Sequence, residues 1–155
     1  MRRLRVCESP WPPTSEWGSP RLWSRSCEKR GHEPITHGAL SESERDDWAW
    51  ASEAAARDVA DGNADQGIVC CWTGTGASIA ANKVAGIRAA LCLDAQTAEG
   101  ARRWNDANVL ALSLRATSQA ELAEILDAWF AASPSAEADD RANVAHLAEV
   151  ESTRA

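Results

Sequence analysis

From Gly67 to Cys71 the chain reads Gly-Ile-Val-Cys-Cys with no charged residue, and within a few positions it passes Gly74 and Gly76 into Ser78-Ile79-Ala80-Ala81. A short continuous apolar run is a strand covered on both faces, and glycines followed by a helix make it the opening of a β-α-β crossover. The texture repeats. Ile87 to Leu93 reads as an apolar strand followed by a helix that Asp94 caps and that runs through Arg103. Val109 to Leu112 is another strand, followed by a helix from the cap Ser118 to Phe130. Upstream, Glu33 to His37 reads as a short strand, and Asp46 to Asp61 as a helix with Trp48, Ala51, Ala55 and Val59 on one side, closed by Gly62. A last helix is expected from Asp139 to Val150, after Pro134. The alternation predicts an α/β fold: a three-layer, Rossmann-like parallel sheet of flavodoxin-like strand order, 2-1-3-4-5, flanked by helices.

Open sheets of this kind bind ligands beyond the carboxyl ends of their strands. Cys71 and its glycine loop lie at such an end, as do Asp94 and the stretch Ser113 to Arg115. First-turn helix amides lack intrahelical acceptors, and glycines let the main chain approach an anion, so the loop suits an oxyanion or a phosphate. The same partial charge favours a thiolate, which makes Cys71 a candidate base for proton abstraction beside a carbonyl. The spacing of Gly74, Gly76 and Lys83 is not that of a nucleotide P-loop, and a third glycine for a dinucleotide fingerprint is missing.

Bulk properties exclude several classes. A net charge of -7 without a basic stripe argues against a nucleic-acid surface. There is no long apolar span for a membrane and no signal-peptide core after Met1. Five cysteines without a disulfide spacing fit a reducing compartment, so the expectation is a cytoplasmic protein. Cys70 and Cys92 read as small buried hydrophobes, and a redox pair of Cys70 with Cys71 is disfavoured because adjacent strand residues face opposite ways. His32 reads as a turn residue, and His37 and His146 lack metal-ligand spacing. Trp48, Trp50 and Trp129 at helical positions read as core or interface, and Asn105 and Asn108 could equally cap local turns.

The run from Cys71 to Lys83, then Gly86-Ile87-Arg88-Ala89-Ala90-Leu91-Cys92, then Asn105-Asp106-Ala107-Asn108-Val109-Leu110, resembles in order the signature blocks of the RpiB/LacA/LacB sugar-phosphate isomerases. The resemblance extends from about Gly31 to Arg141. It implies interconversion of an aldose phosphate and a ketose phosphate through a cis-enediol, without metal or organic cofactor, in a homodimer whose sites form at the subunit interface. Carried over by position, Cys71 is the base, and Thr73 with the amides of Gly74, Thr75 and Gly76 stabilises the enediolate oxygen. Ser78 belongs to the same substrate-binding loop. Asn105 meets sugar hydroxyls, while Arg115 and Arg141 meet the phosphate, Arg141 being a candidate contribution from the partner. Three departures stand out: Leu93 stands where the family has a histidine linked to ring opening, Trp72 replaces a glycine beside the base, and Val144 and Ala145 stand where a second phosphate arginine is expected. They favour a sugar phosphate of another length than ribose 5-phosphate, or one that needs no ring opening, such as a tetrose. The competing expectation is a non-catalytic sugar-phosphate binding protein or an inactive truncated product.

Residues 1 to 28 read differently. They hold four of the six prolines and three of the eight tryptophans, and no periodic apolar pattern. Back-translated and read one base out of register, Val6 to Glu28 becomes an apolar strand ending in a carboxylate, then an amphipathic helix. The expectation is therefore an aberrant or disordered segment from a shifted reading frame at 1–28. An isomerase domain at 29–150 and a tail at 151–155 would follow, with the first β-α unit lost and the chain inactive as it stands.

Overall fold

The computed structural model describes residues 3–8, 20–39, 41 and 44–153, with backbone alone at 7, 8 and 20–22. Five parallel strands, β1 (Arg3–Glu8), β2 (Glu33–Gly38), β3 (Gln66–Cys71), β4 (Ala89–Leu91) and β5 (Val109–Ser113), form one sheet. The helices are α1 (Pro20–Glu28), α2 (Trp48–Ala60), α3 (Thr75–Ala81), α4 (Ala95–Asn105), α5 (Gln119–Ala131) and α6 (Ala138–Ser152). Among the described residues no helix is long and apolar enough to cross a membrane.

The α/β architecture is as expected, but the strand order is β2-β1-β3-β5-β4, so β5 rather than β4 lies beside β3. Burial explains the exchange. All five residues of β5 are buried, as an interior strand requires, whereas β4 has only three residues, each half-buried, and takes the edge. The strand expected to reach Leu93 stops at Leu91, and Leu93 is exposed.

The expectation that the first β-α unit is lost is not met in the described part of residues 1–28, which holds β1 and α1. Strand β1 sits between β2 and β3, pairing Leu4 with Pro34 on one side and Gln66 on the other, and Val6 with Thr36 and Ile68. Leu4, Val6, Trp23 and Cys27 are all part of the main core cluster. Pro20 opens α1 at the position where a missing N–H costs nothing. Just beyond α1, the Arg30 guanidinium donates to the carbonyls of Ser26 and Ala123 and pairs with Asp127 at 2.7 Å, clamping the turn to α5. His32 stacks on Phe130 with ring centroids 3.9 Å apart, which confirms its structural reading. The described elements run from β1 through α6, and β1 shares the sheet with the strands that follow residue 29. Residues 9–19 lie outside the described ones.

Periodicity missed β1 because Arg3 and Arg5 interrupt it. A strand in the middle of a doubly covered sheet is expected to be apolar throughout. Arg5 instead pairs with Asp58 of α2 at 2.8 Å, and Asp58 also meets His37 at 2.7 Å, so the charge is matched across the layer.

Alternate strand residues divide the core in two. Ile68, Cys70, Leu110 and Leu112 face the α1, α4 and α5 side with Ile125 and Trp129, while Val69, Cys71, Val109 and Ala111 face α2 and α3 with Ala51, Ala55 and Ala77. The two adjacent cysteines point opposite ways, as expected. In the first layer, the Trp129 indole N–H donates to the buried Gln66 side chain at 3.0 Å.

Helix α5 begins in a full capping box: Ser118 Oγ accepts from Glu121 N–H, and the Glu121 carboxylate accepts from Ser118 N–H. These contacts with Ser118 hold the Glu121 carboxyl below the usual carboxylate range. Its contribution to stability is therefore present above the unfolded glutamate pKa, about 4.3, and is lost as the pH falls through the lower folded value. Ser118→Ala is expected to cost about 1 kcal/mol. Thermal melts at pH 7 and pH 3 check it: the difference between variant and parent should shrink at the acid end.

Candidate active site

Strand β3 delivers Cys71 to the carboxyl end of the sheet, and the chain then turns sharply enough for Gly74 N–H to donate back to the Cys71 carbonyl at 3.2 Å. The turn needs glycine. Gly74 has φ +77°, and a Cβ there would lie 2.5 Å from Leu91 Cδ1 and 2.9 Å from the Leu112 carbonyl carbon and oxygen. A left-handed L-residue costs about 1–2 kcal/mol before any clash. Gly74→Ala is accordingly expected to lower stability by roughly 2–4 kcal/mol in a denaturant titration. A neutral result would show that the turn can relax.

Helix α3 begins at Thr75, three residues earlier than expected, which shortens the loop and changes which amides are available. The Gly74 N–H is committed to Cys71, so the first-turn donors are those of Thr75, Gly76 and Ala77. The Thr73 and Thr75 hydroxyls lie 2.7 Å apart on the exposed rim. Ser78 points elsewhere: its hydroxyl donates to the Ala89 carbonyl at 3.4 Å and helps hold β4. Asn82 does the same more strongly, with its amide both donating to and accepting from the Ala89 backbone at 2.8 Å. This tie, missed in the sequence, is legible only once β4 is placed.

Cys71 is 7% exposed and belongs to the α2–α3 core cluster, so the thiol lies at the lip of the core rather than in an open cleft. Burial pushes the Cys27 and Cys92 thiols up to about 12, which keeps both neutral. Beside the loop, β5 continues the ladder, with Leu114 N–H donating to the Cys71 carbonyl and Arg115 N–H to the Trp72 carbonyl, both at 3.0 Å. The Ser113 hydroxyl also donates to the Trp72 carbonyl, at 3.0 Å. Arg115 is thereby rooted next to the base, and its side chain is exposed.

Two expected site residues are elsewhere. Asn105 ends α4, after that helix has returned to the amino end of the sheet, and it lines a cavity of about 470 Å³ with Arg88, Leu147 and Glu151. Arg141, in the first turns of α6, lines a neighbouring cavity of about 340 Å³ with Arg103, Trp104 and Asp140. One chain therefore brings together Cys71, Thr73, Gly74, Thr75, Gly76 and Arg115, but not Asn105 or Arg141.

The other two signature blocks lock each other. The Asn108 amide donates to the Gly86 carbonyl at 2.9 Å and accepts from Arg88 N–H at 2.8 Å. The Arg88 guanidinium donates to the Asp106 carbonyl and pairs with its carboxylate at 2.9 Å. Asp106 itself has φ +43°. Their order in the sequence reflects a structural clasp between β4 and β5.

With this geometry in place, comparison with known proteins is informative. The family model described as Ribose/Galactose Isomerase matches residues 21–147. The chain is 45% identical over 104 residues to "Ribose-5-phosphate isomerase B" of Escherichia coli K12, spanning 67% of this chain and 69% of that protein. It is 46% identical over 71 residues to "D-erythrulose-4-phosphate isomerase" of Pectobacterium atrosepticum, spanning 46% of this chain and 47% of that protein. Among solved structures, ribose-5-phosphate isomerase B of Clostridium thermocellum superposes with a TM-score of 0.86 at 32% identity, covering 99% of both chains. The structural match thus includes β1, which precedes the region the family model covers. The apolar strand that presents Cys71 to a glycine turn, the β4–β5 clasp and the full-length superposition agree, and the chain belongs to the ribose/galactose isomerase family of sugar-phosphate aldose–ketose isomerases.

Proposed function

We propose that this chain interconverts an aldose phosphate and its ketose through a cis-enediolate, with Cys71 as the base and a second copy of the chain completing the site. The observation that carries the reading is the placement of Cys71 at a strand end beneath the Gly74 turn, with Arg115 rooted one strand away. Cys71 as thiolate takes the proton from C2 of the open-chain aldose and returns it to C1, while the oxygen protons exchange in the opposite sense. Negative charge on the enediolate oxygen is met by the Thr73 hydroxyl and the amides of Thr75 and Gly76. Arg115 meets the phosphate.

The second copy enters through the residues that lie far from Cys71. In a two-fold dimer each surface meets its own equivalent, so if Asn105 and Arg141 of one copy reach the other's loop, two equal sites form. Helix α6 supports this reading, because none of its residues is buried and it exposes Leu147 and Val150.

Two experiments test the proposal. The first is an aldose-to-ketose assay over four-, five- and six-carbon sugar phosphates on the chain as it stands. Binding without turnover would favour a carrier over an enzyme. The second mixes two inactive variants, Cys71→Ala and Arg141→Ala. A shared site predicts recovery to about a quarter of parental activity, since half the dimers regain one intact site of two. No recovery, with subunit exchange confirmed, would place Arg141 outside the site. Peptide mass spectrometry across Cys27 to Gly31 separately tests whether the first segment is made in the frame written here.

A further inference from the structure

The two carbonyls at the root of the Cys71 loop are each held from two directions. The Cys71 carbonyl accepts from Gly74 N–H at 3.2 Å and from Leu114 N–H at 3.0 Å, and the Trp72 carbonyl accepts from Arg115 N–H and from the Ser113 hydroxyl, both at 3.0 Å. Three of these four donors are main-chain amides, which any residue but proline supplies. The fourth is the side chain of Ser113.

Ser113 closes β5, pairs in register with Cys71 on β3, and is only 3% exposed. Strand alternation sets it on the face that carries Val109, Ala111 and Cys71. Its hydroxyl works in both senses: while donating to Trp72 it accepts from Ala116 N–H at 3.1 Å. One buried oxygen thus joins the residue after the thiol to the residue after Arg115. Thr117 N–H, donating to the Ser113 carbonyl at 3.0 Å, closes the same turn. Alanine at this position would take an acceptor from the Ala116 amide and a donor from the Trp72 carbonyl, leaving main-chain bonds alone to couple the two turns.

We propose that Ser113 is a positioning residue for the isomerisation, holding the turn that carries Arg115 at a fixed distance from the turn that follows the base. The inference rests on the isomerase reading above and deepens it. An aldose phosphate held at its phosphate end by Arg115 presents C2 to Cys71 only while the two turns keep their spacing, and a misplacement of about 1 Å can cost on the order of 10²-fold in rate. Inorganic phosphate spans no such distance. Its binding is indifferent to the spacing.

The test takes the aldose phosphate that the parent converts best and measures kcat/KM and the inhibition constant of inorganic phosphate for the parent, Ser113→Ala and Ser113→Thr, each checked for folding by circular dichroism. Ser113→Ala is expected to lower kcat/KM by about 10- to 100-fold. The phosphate constant should stay within about twofold, the range expected of independent effects, and Ser113→Thr, which keeps the hydroxyl, should recover most of the rate. If Ser113→Ala does not fold, Ser113→Cys, of similar shape and with a weaker donor, is measured in its place against the same criteria. A phosphate constant that weakens in step with the rate marks a merely structural role and overturns the proposal. So does a Ser113→Ala rate equal to the parent's, a loss that threonine does not recover, or a parent that phosphate does not inhibit, and each of these leaves the isomerase reading intact. A parent that converts no aldose phosphate removes both.

Discussion

Replacing Cys71 by alanine is expected to lower kcat for aldose–ketose conversion by about 10²- to 10⁴-fold while changing the melting temperature little, because a positioned base contributes on that order and the side chain is small. Solvent deuterium offers the sharper readout. A cis-enediolate whose proton passes through a single thiol exchanges with solvent in part, so product formed in D₂O should carry label at C1 in the parent and show none above background in the variant. Turnover that survives the substitution would remove Cys71 from the mechanism. Since Cys71 is only 7% exposed, a bulkier Cys71→Val should lower turnover as alanine does but lower stability as well.

The second large effect concerns the strand that periodicity did not show. Val6→Asp would place a carboxylate at a position 1% exposed, in the middle of the sheet, between Thr36 and Ile68. An uncompensated buried charge costs more than about 4 kcal/mol, a large share of what holds a domain of this size together. We expect insoluble or non-cooperatively unfolding protein, read by circular dichroism and denaturant titration. Arg5→Asp at the neighbouring position should also be harmful, for another reason: it sets a carboxylate against Asp58. If Val6→Asp melted like the parent, β1 would not be the central strand, and the expectation of an irregular first segment would stand again.

What was readable in advance follows from how each element is stabilised. Strands β3 and β5 are buried on both sides by their own residues, so a continuous apolar run announced them. Helix α5 carries its start signal locally in Ser118 and Glu121, and α4 in Asp94, whose carboxylate accepts from Thr97 N–H at 2.7 Å. Strand β1 had no such signature, because the partner that neutralises Arg5 is Asp58, far away in sequence. The edge position of β4 was equally hidden: its ties come from Ser78 of α3 and from Asn82 just after it, and Ser78 read as part of a substrate-binding loop until β4 was placed.

The chain's own order of residues determined the local chemistry: a thiol at a strand end, a turn only glycine can make, helices with their caps, and an arginine after β5. Folding in three dimensions decided which of these meet. It put the Arg115 backbone on the Trp72 carbonyl, next to Cys71, and carried Asn105 to the far end of the sheet, because a helix returning from a parallel strand must end where the next strand begins, while α6 sets Arg141 against that same end of α4. Strand order and the matching of Arg5 to Asp58 depend on contacts between distant segments, and no window along the sequence contains both partners.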